Sequence, residues 1–433
     1  MKTNIPKISC HWPQRMLLTS AAAMLANSLT ASAADANRGA YLLPYTRYES
    51  ENAQRGGGAS LQSATQFNQA DTAAEASQQK YVSLPSNGSY VEWPAATAGD
   101  GVTLRFTLPD SANGQGMNGT LDVYVNGNYD QTIKLSSYWA WQYFPQGQSE
   151  PYNTPGGRAM MRFDEMHFRL SHALNKGDTL RLQKNNGDGI NYGVDFVELE
   201  PVPAARSQPA GYFSITDFGA VANDNNDDLP AMNRALAAAA QSGTGVFLPP
   251  GKFVFNDKLL LNANNIGLLG AGPWYSQIYF SNPGQFKGGI LARASNVKIG
   301  NFYMNTINNR RFDDNRAYMI YKGFMGTYGD SSRFDNVWVE HFEVGAWLGG
   351  YDAPYPVDVT RNLVISNSRF RNNYADGINF SQGTSNSVVE QTSIRNSGDD
   401  GLAVWPSNSP SVQEGADSIF RYGTVENIWR AGG

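Results

Sequence analysis

Apolar and polar positions alternate with a period of two along much of residues 41–200. The runs are Tyr90-Val-Glu-Trp93, Val102-Thr-Leu-Arg-Phe-Thr-Leu108, Gly119-Thr-Leu-Asp-Val-Tyr-Val125, Thr179-Leu-Arg-Leu182 and Val194-Asp-Phe-Val-Glu-Leu199. Turn-forming stretches such as Asn126-Gly-Asn128 and Asn185-Asn-Gly-Asp188 separate them. Short alternating strands with this turn chemistry predict an antiparallel β-sandwich. Pro201, Pro203 and Pro209 then exclude helix and remove ladder donors, so residues 201–210 read as an extended linker.

After residue 210 the rule changes. One alanine-rich helix is predicted over Leu229–Ala240, between Ser214-Ile-Thr-Asp-Phe-Gly-Ala220 and Gly245-Val-Phe-Leu-Pro-Pro-Gly251. Asp-Phe-Gly-Ala, a single helix and Leu-Pro-Pro-Gly together resemble the opening of many right-handed parallel β-helices, where the helix caps the first coil and covers its unpaired edge. The remainder repeats loosely, with Asn296-Val-Lys-Ile299, Asn336-Val-Trp-Val339, Asn362-Leu-Val-Ile365 and Ser387-Val-Val-Glu390 opening successive coils. The fold class predicted is all-β: a sandwich at 34–200, then a parallel β-helix at 211–433. Thr424–Gly433 begins a coil that it does not finish, so the β-helix reads as incomplete and its open end as prone to association.

The clearest internal match aligns Phe370-Arg-Asn-Asn-Tyr-Ala-Asp-Gly-Ile378 with Ile394-Arg-Asn-Ser-Gly-Asp-Asp-Gly-Leu402 at a constant offset of 24 residues. Asp376 falls on Asp400 and Gly377 on Gly401, with Asp399 alongside. Strands on neighbouring coils lie about 4.8 Å apart, so these carboxylates stack. Asp-Gly is ordinary turn chemistry taken once. Three aspartates aligned across two coils are different, because like charges so close raise one pKa. Glycoside hydrolysis wants such a set: one carboxylic acid protonates the leaving oxygen while a carboxylate activates water.

Composition agrees. Only 16% of residues are charged, too few for long solvated helices. The first 33 residues join a basic stretch ending at Arg15 to the apolar run Met16–Ala26 and to Ala31-Ser-Ala33, the layout of a cleaved secretory leader. They carry Lys2, Lys7 and Arg15 and no acid, so a formal charge of −5 becomes −8 without them. That balance argues against nucleic acid as a partner. The single cysteine, Cys10, lies in the leader, and only His167, His172 and His341 follow it. A thiol nucleophile or a multi-histidine metal centre is thereby excluded from the exported protein, and catalysis needs no cofactor. The apolar run is too short to span a bilayer, so a secreted, extracellular protein with no membrane partner is expected.

Tyr48-Glu-Ser-Glu-Asn-Ala53 and Val194–Glu198 resemble the first and last strands of the family 6/35 type of carbohydrate-binding module. Glu49 and Glu51, at i and i+2, would share one strand face, and Asp195 could join them around a hard cation. In similar modules such acids hold a structural calcium; a solvated strand edge is the plain alternative. Tyr138, Trp139, Trp141, Tyr143, Asn191 and Tyr192 offer stacking and hydrogen bonds to sugar, and about half of the aromatic ones also suit a sandwich core.

Trp338-Val-Glu-His-Phe-Glu-Val-Gly-Ala-Trp347, Arg371-Asn-Asn-Tyr-Ala-Asp-Gly-Ile-Asn-Phe380 and Arg395-Asn-Ser-Gly-Asp-Asp-Gly-Leu-Ala403 resemble glycoside hydrolase family 87. Its members are α-1,3-glucanases and mycodextranases, inverting endo-hydrolases on a parallel β-helix. The resemblance implies Asp376, Asp399 and Asp400 as the catalytic aspartates, with Asp376 as general acid and the other two handling water. It implies α-1,3-glucan as the polysaccharide substrate, with His341, Asn379 and Trp405 lining the groove. A polygalacturonase is the alternative enzyme, although its Gly-His-Gly and Arg-Ile-Lys do not occur here. A non-catalytic glycan-binding β-helix is the alternative from another class.

Overall fold

The computed structural model describes residues 41–433 apart from 67, 69, 146–154, 156, 314, 316, 350–358, 406–416 and 431. The leader expected at 1–33 lies outside the described residues. Strands dominate, with a single α-helix and a few 3-10 turns among the described residues. That helix is too short to cross a membrane.

The alternating runs form two antiparallel sheets. One orders Asp164–Leu174, Gly99–Thr107, Tyr192–Glu200, Lys80–Leu84 and Ser60–Ser63, with Thr46–Glu49 also pairing with Tyr192–Glu200. The other orders Gln54–Gly56, Tyr90–Pro94, Thr179–Gln183, Asn118–Val125 and Asn128–Ser136. Their inward faces bury Val91, Trp93, Leu104, Phe106, Leu121, Val123, Leu182 and Val194 in one core. The predicted hairpin turn is present: Asn126 and Gly127 both take positive φ, which the tight turn between Val125 and Asn128 requires.

From Phe213 onward every named strand pairs in parallel. The helix Leu229–Ser242 has proline in its first turn, ends at the left-handed Gly243, and buries Ala231, Met232, Ala235, Leu236 and Ala239 on one face. It packs on Phe213–Ser214 and Gly245–Leu248. Successive passes of the chain then add strands alternately to a thirteen-stranded and a six-stranded sheet. The interior rows are apolar, as in Leu268, Ile299, Phe334, Ile365 and Val389, which follow one another in register. Corners between strands fall on left-handed asparagines, which tolerate that conformation better than other side-chain-bearing residues. Several stack amide on amide, Asn396 Nδ2 donating to Asn372 Oδ1 at 2.8 Å and Asn336 Nδ2 to Asn301 Oδ1 at 2.9 Å. The crowding of asparagine in the second half has this cause.

Residues 201–206 do not behave as a free tether. Val202 N–H donates to Asp100 Oδ1 at 2.9 Å, Tyr275 Oη to the Pro203 carbonyl at 2.8 Å, and Arg206 N–H to the Ala271 carbonyl at 2.8 Å. Sandwich and parallel sheets belong to one compact unit, Gly39–Gly433. At their junction Arg395 and Arg371, both fully buried, meet Glu165 and Glu198, with Arg395 Nε 2.6 Å from Glu165 Oε1 and its Nη1 2.8 Å from Glu198 Oε1. Burying four ionised groups is tolerable because each keeps a partner of opposite charge.

Candidate active site

The six-stranded sheet positions the aspartates. Ile378–Ser381 pairs with Leu402–Trp405 so that Ile378 faces Leu402, the register the 24-residue offset predicts. Just before these strands a column of glycines, Gly345, Gly377 and Gly401, lets the passes approach closely. A Cβ on Gly377 would stand 2.6 Å from the Gly401 carbonyl oxygen, and one on Gly345 would stand 2.5 Å from that of Gly377. Asp376 and Asp400 precede two of these glycines, so the column fixes both aspartates on neighbouring passes.

Asp376, Asp399 and Asp400 converge, each offering a carboxylate oxygen within 4.8 Å of those of the other two. Asp376 is 5% exposed. Its Oδ2 accepts from Asn379 Nδ2 at 2.6 Å and its Oδ1 from the Asp400 N–H at 3.2 Å. Burial pushes its carboxyl up to about 6, Asp399 and Asp400 adding to the rise while Asn379 and Arg311 oppose it. Asp399 Oδ2 receives two guanidinium groups, Arg311 Nη1 at 2.8 Å and Arg430 Nη1 at 3.3 Å. Asp400 Oδ1 accepts from the Gly432 N–H at 3.3 Å.

Two hydrogen bonds of about 2.8 Å at a near-tetrahedral angle span about 4.6 Å, so this spacing suits one water bridging two of the carboxylates. The same three oxygens would attract a hard cation. Two guanidinium groups already face Asp399 there, which favours proton chemistry over ion binding.

Beyond the trio, Trp405 is 55% exposed and its ring lies 5.6 Å from that of Trp347. Trp347 and Asn379 face each other in register, as do Asn379 and Ala403, two residues before Trp405, so both indoles stand on the outward side of the sheet. Lys322 Nζ sits 4.9 Å over the Trp347 ring and 3.2 Å from Glu343 Oε2.

Several expected site residues lie elsewhere. His341 borders a cavity at the junction with Trp139, Asp164 and Asn305, one that includes none of the three aspartates. It is buried between the two parts, with Nε2 2.9 Å from Asp164 Oδ1, Nδ1 2.8 Å from Asn305 Oδ1, and its ring stacked 4.6 Å from that of Trp139. Burial lowers its pKa, but the Asp164 carboxylate outweighs this and the net direction is up. Trp139 is likewise spent on the junction, donating from Nε1 to the Thr306 carbonyl at 2.9 Å, and Tyr138 Oη donates to that of Ile307 at 2.9 Å. Asn379 is fully buried and its Nδ2 is given to Asp376. Asn191 is exposed, and its Oδ1 accepts from Ser83 Oγ at 2.7 Å.

The three acids of the sandwich divide. The strand Thr46–Glu49 ends before Glu51, which sits in the 3-10 turn Ser50–Asn52, so the two glutamates do not share a strand face. Glu49 Oε2 and both Glu51 oxygens are nevertheless buried with no protein partner, which fits a hard cation. Asp195 is fully buried and already answered by Arg105 and by the Ser77 N–H, which leaves it a poor ligand. Among the described residues these three do not form a cluster of the kind Asp376, Asp399 and Asp400 do.

Arg311 and Arg430 escaped the sequence reading. Nothing in the pattern around Arg311 marks it, whereas Arg430 sits in Ile428-Trp-Arg430, a segment that showed only as the start of a further pass.

Comparison with known proteins brings the two parts under one heading. Residues 42–202 match the model of α-1,3-glucanase catalytic domain D1 and residues 230–428 that of catalytic domain D2. The sandwich expected as an accessory binding module thus corresponds to the first catalytic domain. The crystal structure of the Agl-KA catalytic domain superposes with a TM-score of 0.85 at 49% identity, over 90% of this chain and 68% of that one. The catalytic unit of a thermostable GH87 α-1,3-glucanase from Streptomyces thermodiastaticus strain HF3-3 gives 0.74 at 30% identity, over 90% and 65%. Mannuronan C5-epimerase AlgE6 of Azotobacter vinelandii is 32% identical over 178 residues, 38% of this chain. The chain spans 20% of that curated relative.

Proposed function

This chain belongs to the α-1,3-glucanase catalytic-domain family of glycoside hydrolases, and from that premise we propose that it is a secreted endo-hydrolase of α-1,3-glucosidic bonds in α-glucan. The observation that carries the reading is the convergence of Asp376, Asp399 and Asp400 within 4.8 Å. One carboxylate takes a proton from water as its oxygen bonds to the anomeric carbon. The bond from that carbon to the bridging oxygen breaks, and the leaving oxygen takes a proton from a carboxylic acid. Asp376, whose carboxyl burial pushes up to about 6, is assigned as the general acid. These oxygens lie closer than the about 6.5–9.5 Å usual for an inverting pair, so the inversion we propose rests on a water held between two carboxylates attacking without a covalent intermediate. In the same reading the parallel sheets wind as a right-handed β-helix, supported by the alternating addition of strands to the two sheets. The sandwich braces the site, and Glu49 with Glu51 would hold a structural calcium that takes no part in the reaction.

The test is release of reducing ends from insoluble α-1,3-glucan, with polygalacturonate and polymannuronate beside it and proton NMR of the first product formed. Release from the glucan alone, as the inverted anomer, is expected. The likeness to mannuronan epimerases favours the uronan arm as the competitor, and turnover there alone would sink the glucanase reading. Replacing Asp399 or Asp400 by Asn should abolish release while leaving glycan pull-down intact, which separates hydrolysis from binding alone. Azide rescue of a variant would mark the carboxylate that activates water.

A further inference from the structure

One corner of the parallel sheets breaks its own pattern. Glu340 pairs with Arg371 and Arg371 with Arg395, so the residues that follow, His341, Asn372 and Asn396, stack at one corner. All three take left-handed backbone, at φ 66°, 54° and 58°. Asn396 Nδ2 donates to Asn372 Oδ1, and there the amide ladder stops. An asparagine at 341 would offer its oxygen to Asn372 Nδ2, which is instead buried with no partner among the described residues. The fold gives up a rung to keep an imidazole.

The ring faces an oxygen at each nitrogen. Nδ1 stands 2.8 Å from Asn305 Oδ1, which already accepts the Thr306 N–H at 2.6 Å. Turning that amide over would set donor against donor, so Asn305 presents oxygen to the ring. Nε2 stands 2.9 Å from Asp164 Oδ1, on the sandwich. Two acceptors call for two N–H donors, which only the imidazolium supplies. The neutral ring would turn a lone pair on one of them.

The charges around the ring agree. Burial works against the imidazolium, but Asp164, then Glu340 and Glu165, outweigh it. His167, on the strand that carries Asp164 and Glu165, is held neutral near pH 7, burial pushing its pKa down to about 3. Burial raises Glu340 to about 7, and its oxygens accept from Trp338 Nε1 at 2.6 Å and Tyr303 Oη at 2.9 Å. A cavity of about 240 Å³ runs from His341 to the exposed Lys134, a path by which protons exchange with water.

The corner also underlies the aspartates. Phe342 N–H donates to Asn373 Oδ1 at 3.0 Å, and the Phe342 and Glu343 carbonyls accept the N–H groups of Tyr374 at 2.9 Å and Ala375 at 2.6 Å. Gly345 N–H then donates to the Asp376 carbonyl at 3.0 Å. On the sandwich side, the residue before Asp164 accepts from Asn396 Nδ2 through its carbonyl at 3.1 Å, three residues ahead of Asp399.

We propose that His341 is a positioning residue for the aspartates: a doubly donating imidazolium that clasps the sandwich to the bed of residues 373–376 and releases it on losing its proton. The proposal rests on the glucanase reading. Its test compares the wild type with His341→Asn, which restores the amide rung, for kcat on soluble α-1,3-glucan oligosaccharide and for melting temperature. The ionisation of Asp376 cancels in the ratio of the two kcat values. Wild type should lead roughly tenfold at about pH 6, and the lead should close toward about pH 9. Its melting temperature should likewise exceed the variant's below the ordinary histidine value of 6.5 and lose that margin as pH rises through the raised folded value. Asp164→Asn keeps an acceptor but removes the charge, and should move both transitions to lower pH. A kcat ratio or a melting margin that stays constant with pH would overturn the clasp. If no α-1,3-glucan is cleaved, a melting margin that narrows with pH upholds the clasp while the hydrolase reading falls.

Discussion

Asn379 Nδ2 donates to Asp376 Oδ2 at 2.6 Å from three residues further along the same chain, and it does so with no exposure to solvent. Asn379, expected at the groove, thus supports the carboxyl assigned as general acid. The donated bond favours the carboxylate, working against a pKa that burial and two neighbouring aspartates push to about 6. Asn379→Ala should raise that pKa further, so the limb of the pH–rate profile governed by Asp376 moves to higher pH, with kcat down roughly tenfold. Profiles that superimpose would remove Asn379 from the mechanism.

Asp376 also links stability to pH. Its folded pKa of about 6 stands above the ordinary 3.8, so the fold carries no penalty from this group below pH 4 and loses stability as pH rises through 6. Asp376→Asn should therefore melt higher than the wild type at pH 8, by on the order of 3 kcal/mol, and no higher at pH 3.5. A stabilisation independent of pH would mean that the carboxyl is not buried at cost.

Trp405 and Trp347 form a half-exposed indole pair beside Asn379. Stacking a sugar on such a surface is worth about 1 kcal/mol or slightly more. Trp405→Ala should raise KM for soluble oligosaccharide about fivefold to tenfold with kcat within about twofold. A fall in kcat alone would assign Trp405 to the transition state.

The aspartate stack was legible because a parallel pass conserves register: a constant offset in the text became Ile378 facing Leu402. Its partners were not legible. Arg311 lies 88 residues before Asp399, and no periodicity connects them. The closing strand of the sandwich shows a second limit. Tyr192–Glu200 alternates in the text as a half-solvated strand would, yet all nine residues are buried, because Glu198 meets Arg371 and Arg395, Asp195 meets Arg105 and Glu200 meets Arg369 in place of water. Period two reports which positions are polar and is silent on what answers them. The same silence hid Trp139 and His341, whose residue types suit sugar or groove and whose positions serve the junction.

In the proposed reading calcium bears on stability only. Glu49 Oε2 and the Glu51 carboxylate are buried without partners, and burial together with the Asp195 charge raises the Glu49 pKa. Millimolar calcium should raise the melting temperature by a few degrees over a chelated sample, and Glu51→Gln should abolish that difference. Identical melts with and without chelator would leave these oxygens to water.

Arg395 bonds both Glu165 and Glu198, none of the three more than 1% exposed. Burial raises these carboxyl pKa values, and Arg395 with Arg371 more than reverses the rise. Their contribution is in place above the ordinary glutamate value of 4.5 and fades as pH falls through the lowered folded values. Arg395→Met should destabilise by about 3–5 kcal/mol, read by urea unfolding at pH 7. A loss below about 1 kcal/mol would show that water reaches the pair.

That four-membered ionic knot has an evolutionary corollary. Accessory sugar-binding modules recombine freely among enzymes because little is left raw when their tether is cut. Here a cut through residues 201–210 would strand Arg371 and Arg395 on one fragment and Glu165 and Glu198 on the other, leaving Glu198 only Arg47 and Arg395 only Glu426. Each half parted from the other would thus carry buried charge exposed at a raw face, so the two are expected to be stable only together.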